Sequence, residues 1–130
     1  MKPAVVDTNV LVRLATGDHA GQHRAAVESL AARIWRVLPT VVLETEWTLR
    51  SRYDYAPEQF AQFVDWLDAH PRIDLAQADS VRAAVACHRA GMDFADALHL
   101  AQADDAPFLT LDRALRRKAD ALGLHTEALI

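Results

Sequence analysis

The chain reads as an α/β protein, a three-layer α/β/α arrangement with a central, mainly parallel sheet of about four to five strands. Three observations predict it. Short apolar runs alternate along the chain with longer stretches of helical periodicity, and strands alternating with helices imply a parallel sheet covered on both faces. Gly and Pro fall between these stretches, at Gly17, Pro39, Pro71, Gly91, Pro107 and Gly123, where elements should start and stop. The length of 130 residues, with 52% apolar and 25% charged side chains, fits one domain over residues 1–130 that buries its own core without disulfides or a structural metal.

The elements follow in order. Ala4-Val5-Val6 is a short apolar run ending at Asp7 and predicts a first, buried strand. Thr8 to Ala15 reads as a helix broken by Gly17-Asp18, and Asp18 then suits the N-cap of a helix from about His19 to Arg33, with Ala26, Leu30 and Ile34 at helical spacing. Trp35 to Leu38 is a second strand, and Pro39-Thr40 opens a helix to about Tyr53. Ala56-Pro57-Glu58 opens another, with Phe60, Phe63, Val64 and Leu67 on one face, until Pro71 ends it. Ile73-Asp74-Leu75 is a third strand, and Ala78 to Ala90 a helix stopped by Gly91. Asp93-Phe94-Ala95-Asp96 begins a helix to about Ala103, and Phe108 to Leu111 is a clear strand. Asp112 caps a last helix to Leu122, and Leu124-His125-Thr126 makes a final edge strand.

Composition narrows the function classes. The single Cys87 excludes an internal disulfide and fits a reducing compartment. The N-terminal apolar run is too short for a signal peptide, and no stretch approaches the roughly 20 apolar residues of a membrane span, so a soluble, cytoplasmic protein is expected. A net charge of −4 argues against a simple module that binds nucleic acid through phosphates. It argues less against an enzyme whose carboxylates face cations.

The acids are where chemistry concentrates. In open parallel sheets ligands bind outside the carboxyl ends of the strands, and Asp7 and Asp112 each sit just after a predicted strand, at a helix start. Asp93 and Asp96 form a D-x-x-D pair at the mouth of another helix. Each acid taken singly is explained by helix capping or by the helix dipole. Their coincidence on one edge is not required by capping, whereas Mg²⁺ or Mn²⁺ requires oxygen ligands from more than one element. The six histidines form no H-x-H or H-E-x-x-H set and there is no C-x-x-C, so zinc is not indicated. Glu44 and Glu46 both lie in the helix after the second strand. A helical wheel places Glu46 with Val42, Leu49 and Tyr53 and puts Glu44 away from that stripe, so periodicity does not select Glu44.

The segments Val6-Asp7-Thr8-Asn9-Val10-Leu11-Val12-Arg13-Leu14, Val42-Leu43-Glu44-Thr45-Glu46-Trp47-Thr48-Leu49-Arg50, Asp93-Phe94-Ala95-Asp96-Ala97-Leu98 and Leu109-Thr110-Leu111-Asp112-Arg113 resemble, in order and spacing, the PIN-domain ribonucleases, and among them the VapC-type toxins of bacterial toxin–antitoxin pairs. The resemblance spans nearly the whole chain. It implies a PIN-like fold and a site of three or four acids holding Mg²⁺ or Mn²⁺, with Asp7 first, Glu44 second, Asp96 third with Asp93 close by, and Asp112 fourth. Asp7 and Asp96 would be the direct metal ligands. Asn9 and Thr110 resemble supporting polar residues that orient ligands.

The implied chemistry is hydrolysis of RNA phosphodiester bonds. Arg13, Arg50, Arg52 and Arg113 follow the acidic motifs and are candidates for RNA contact, whereas the group Arg113, Arg116, Arg117 and Lys118 also reads as a solvated helix face. His99 reads as a partly buried structural residue. The resemblance further implies a cognate antitoxin and a homodimer, for which Trp47 and the Phe60/Phe63/Trp66 face offer surfaces, though core packing explains these aromatics as well. Two rivals stand beside this reading. An aspartyl-nucleophile phosphatase would want D-x-D, and here Asn9 occupies the second position after Asp7. A catalytically silent interaction domain should have lost acids, and this chain keeps all four.

Overall fold

The five expected strands all form in the computed structural model, which describes residues 2–130, and every pairing among them is parallel. They are joined by seven helices among the described residues. The α/β class with parallel strands is therefore the observed one. The strands hydrogen-bond in two groups, one of three and one of two. The chain likewise divides into two compact units, Met1–Ala78 and Asp79–Ile130.

The first unit runs β1 (Ala4–Val5), α1 (Thr8–Thr16), α2 (Ala20–Ala32), β2 (Trp35–Val37), α3 (Pro39–Tyr53), α4 (Pro57–Ala69) and β3 (Ile73–Leu75). Its strands lie in the order β1-β2-β3, with Ala4 opposite Trp35 and Trp35 opposite Ile73. The middle strand is the most deeply buried: Trp35 and Val37 are almost wholly covered, and the Trp35 indole N–H donates to Ser29 Oγ at 3.1 Å. Leu11 and Val12 of α1, Leu49 of α3, and Phe60, Val64 and Leu67 of α4 are buried as fully in the same unit. Each such side chain contributes about 1.5–3 kcal/mol by leaving water. The expectation of a buried first strand needs correction at Val5, which is 56% exposed. Val5 lines a cleft shared with residues of α1 and α2 and is left open there.

Helix ends follow local rules with one exception. Gly17 closes α1 with φ +63°, a left-handed conformation that glycine adopts without a Cβ penalty, and its N–H donates to the Arg13 carbonyl at 3.0 Å. The N-cap of α2 is His19 rather than the expected Asp18: the Gln22 N–H donates to His19 Nδ1 at 3.1 Å. Asp18 instead accepts from Arg13 at 3.0 Å and from the Tyr53 hydroxyl, so its carboxylate joins α1 to the end of α3.

The second unit holds α5 (Ala78–Arg89, whose first residue ends the first unit), α6 (Phe94–Ala103), β4 (Phe108–Thr110), α7 (Arg113–Ala121) and β5 (Thr126–Ala128). β5 lies two residues later than expected, pairing Phe108 with Thr126. Its core gathers Val81, Ala84, Met92, Phe94, Ala97 and Leu98, with Leu115 and Ala119 from α7. No helix among the described residues is long and apolar enough to cross a membrane.

Candidate active site

In the first unit Asp7 occupies the turn from β1 into α1. It is the N-cap, exposed and extended, and its carboxylate accepts from the Thr8 N–H at 2.7 Å. A cleft of about 570 Å³ is lined by Asp7, Asn9 and Arg13 together with apolar residues of β1 and α2 and Trp35. Arg13 is heavily engaged within the unit. Its guanidinium donates to Gln22 at 2.7 Å, to Asp18 at 3.0 Å and to the Tyr53 hydroxyl at 3.4 Å. These bonds fix its direction and occupy much of the donor fork that was expected to meet RNA.

The two glutamates of α3 separate as the helical wheel suggested. Glu44 is exposed. Glu46 is only 3% exposed, on the face that carries Val42 and Leu49, and it accepts from Arg50 Nε at 2.9 Å. A carboxylate in that position needs a cation, and Arg50 one turn on supplies it. Arg50, predicted to meet RNA, thus has a structural task, while Arg52 is exposed near the end of the same helix. The sequence reading passed over two hydroxyls next to the acids: Thr8 and Thr45 are both buried, and among the described residues neither Oγ1 has a hydrogen-bond partner.

In the second unit three acids sit at helix starts. Asp93 caps α6, accepting from the Asp96 N–H at 3.3 Å, and Asp112 caps α7, accepting from the Leu115 N–H at 3.0 Å. Thr110 Oγ1 in turn accepts from the Asp112 N–H at 3.0 Å, which fixes the backbone that carries the acid. A cleft of about 390 Å³ brings Asp96, Thr110 and Asp112 together, with Phe108, Leu109, Leu111, Leu115 and Leu129 around them. Asp96 is half-buried. Its carboxyl is pushed above the ordinary aspartate range by that burial, then by the charges of Asp93 and Asp112, while His99 and Lys118 pull the other way. His99 differs from expectation: it is exposed, and its ring stacks on Phe108 at a centroid distance of 6.2 Å.

The donors fit a hard divalent cation in kind, being carboxylates. The mutual repulsion felt at Asp96 is what a bound cation would relieve. Among the described residues no group of three His, Cys, Asp or Glu side chains is gathered tightly enough to hold an ion. Of the surfaces proposed for partners, Phe60 belongs to the core, while Trp47 and Trp66 are 56% and 45% exposed. Trp66 stacks with Phe63 at 6.4 Å and meets His70 at 5.1 Å.

Two parallel strands, β1 and β4, lead at their carboxyl ends into helices capped by Asp7 and Asp112, and each cap borders a cleft of its own unit in an α/β protein. More narrowly, the PIN domain family matches residues 4–121, and the chain belongs to that family. A search of curated protein sequences gives no match. The PIN domain is a nuclease-type fold; its members are generally hydrolases, typically depend on a divalent metal and typically bind RNA.

Proposed function

We propose that this protein is an endoribonuclease that hydrolyses RNA phosphodiester bonds with Mg²⁺ or Mn²⁺, and that it is the VapC-type toxin of a bacterial toxin–antitoxin pair. The observation that carries the nuclease reading is the cleft in which Asp96, Thr110 and Asp112 meet, with Asp96 held above its ordinary pKa. Asp7, Glu44, Asp93, Asp96 and Asp112 are the residues that would hold the ion, with Asp7 and Asp96 as direct ligands. The protein works as a single PIN domain over residues 1–130, supported by a family match that begins in one compact unit and ends in the other.

When bound, the cation would lower the pKa of a water and neutralise charge on the phosphate. The protein's own part is to place and orient. Thr110 fixes the Asp112 backbone through its hydroxyl, and Asn9 lines the cleft beside Asp7. Water adds to phosphorus and the P–O3′ bond breaks, the departing oxygen taking a proton, which leaves a 5′-phosphate and a 3′-hydroxyl. Arg52 and Arg113, both exposed, attract the RNA backbone to a protein of net charge −4. A cognate antitoxin silences the site and the toxin forms a homodimer, with exposed Trp47 and Trp66 as the apolar surfaces for these contacts.

Purified protein should cleave RNA with Mn²⁺ and stop when EDTA is added. Expressed without its partner it should arrest growth, and Asp7→Asn should relieve the arrest. Cleavage that survives exhaustive chelation would overturn the nuclease scheme. Equal harmlessness of wild type and variant at good expression would overturn the toxin assignment alone.

A further inference from the structure

Between α5 and α6 the chain turns through residues 90–93, and two side chains hold that turn in consecutive places. Gly91 opens it with φ +107°. His88 Nδ1 lies 2.8 Å from the Met92 carbonyl. A carbonyl only accepts, so Nδ1 carries the proton. The His88 ring is buried and meets Phe94 edge-on at 5.5 Å and 76°, which fastens the start of α6 from beneath. One residue earlier, the Gly91 carbonyl accepts from Lys118 Nζ at 3.1 Å. Lys118 belongs to α7, the helix that Asp112 caps. One side chain therefore ties the loop leading into Asp93 and Asp96 to the helix that starts at Asp112, all within the second unit.

An exposed lysine on a basic helix is ordinarily a solvated charge. What separates Lys118 is its partner, a loop carbonyl 27 residues away that directly precedes the acid-bearing turn. We propose that Lys118 is a positioning residue: its ammonium holds the 90–93 loop against α7 and thereby sets the approach of the Asp93–Asp96 pair to Asp112. Its charge also acts on Asp96 in the sense opposite to Asp93 and Asp112. The consequence for catalysis rests on the metal-dependent reading above. The bond to Gly91 does not.

The test uses the full chain with Lys118→Met, which keeps the alkyl stem and removes the donor, and Lys118→Arg, whose guanidinium can still donate to the same carbonyl. Three readouts are taken: amide hydrogen exchange over residues 91–97 without metal, the Mn²⁺ dissociation constant by calorimetry, and kcat and KM for RNA cleavage. Lys118→Met should speed exchange in that segment about fivefold. It should weaken Mn²⁺ binding about tenfold, the lower end of what loss of an outer partner costs a metal site. The kcat should fall by a similar factor with KM unchanged, and Lys118→Arg should restore most of each loss. Unchanged exchange in Lys118→Met would overturn the proposal. So would a change confined to KM, since Lys118 would then be a plain phosphate contact. Faster exchange in a protein whose wild type neither binds Mn²⁺ nor cleaves RNA would sustain the strut and overturn the nuclease reading instead.

Discussion

Asp112 caps α7 and, in the proposed nuclease, would also hold the ion, and two substitutions separate these tasks. Its Oδ1 accepts from the Leu115 N–H at 3.0 Å and so starts α7, the helix that buries Leu115 and Ala119. Asp112→Ala removes that acceptor, and loss of an N-cap costs about 1 kcal/mol. For a chain of this size that lowers the melting temperature by roughly 4 °C. Asp112→Asn keeps the acceptor, and Asn caps as well as Asp. It loses a favourable charge–dipole interaction of roughly 0.3–1 kcal/mol, but it also removes one of the charges that push on Asp96, which acts in the opposite sense. Without metal, the Asn variant should therefore melt close to wild type and the Ala variant about 4 °C lower. Both should lose nearly all RNA cleavage. Mn²⁺ stabilises whatever binds it in the folded state, so it should raise the wild-type melting temperature and do so less in either variant. The measurements are melting curves in EDTA and in Mn²⁺, with cleavage of one RNA by all three proteins. An Asn variant that cleaves and responds to Mn²⁺ like wild type would take Asp112 out of the site. An Ala variant as stable as the Asn variant would refute the capping argument.

Asp96 carries a pH signature. Its folded pKa is raised by burial and by Asp93 and Asp112, so the folded chain keeps a proton over a window where the unfolded chain has lost it. Metal-free stability should then fall as pH rises from the ordinary aspartate range through the raised value, and Asp96→Asn should flatten that part of the melting-temperature curve; an unaltered slope would show that Asp96 does not cause it. The glutamates of α3 should split cleanly. Glu46→Gln weakens a buried acceptor of Arg50 and should cost about 1 kcal/mol while leaving kcat nearly intact. The exposed Glu44, changed to Gln, should move stability by no more than about 0.5 kcal/mol and abolish cleavage, and the reverse pattern would hand the role to Glu46.

The legible parts of this fold were those fixed by neighbours in the chain. Proline starts α3 and α4, Gly17 closes α1, and Asp93 and Asp112 cap α6 and α7, because each signal acts within about one helical turn. The side of α3 that Glu46 takes was legible too, since the wheel put it on the Val42–Leu49 stripe, but its pairing with Arg50 was not, because Arg50 was expected to meet RNA. Missed features came from pairings across distance. Asp18 would serve as an N-cap by local rules, but Tyr53, 35 residues on, and Arg13 claim its carboxylate, and His19 takes the cap. The bond from Lys118 to Gly91 has no counterpart in spacing or composition, so the basic run on α7 read only as charges that guide RNA or as a solvated face. The exposure of Val5 depends on how closely α1 and α2 cover that face of β1, which a three-residue apolar run does not encode.

Capping and catalysis looked like rival explanations of the acids, yet the geometry makes them compatible. An N-cap carboxylate spends one oxygen on a backbone N–H and has a second. Asp93 and Asp112 each make such a bond through a single oxygen. The position that capping does not explain is Asp96. An acid placed in the first turn of a helix only to suit the dipole gains from being charged there, so the helix should hold its pKa down. Asp96 occupies the first turn of α6 and is held up instead, by its burial and by two neighbouring carboxylates. A fold selected for stability alone would relax that conflict by placing an amide or an alanine at this position. The conflict persists in a cleft that also contains Thr110 and Asp112, and in the proposed nuclease a divalent cation would relieve the repulsion between the carboxylates.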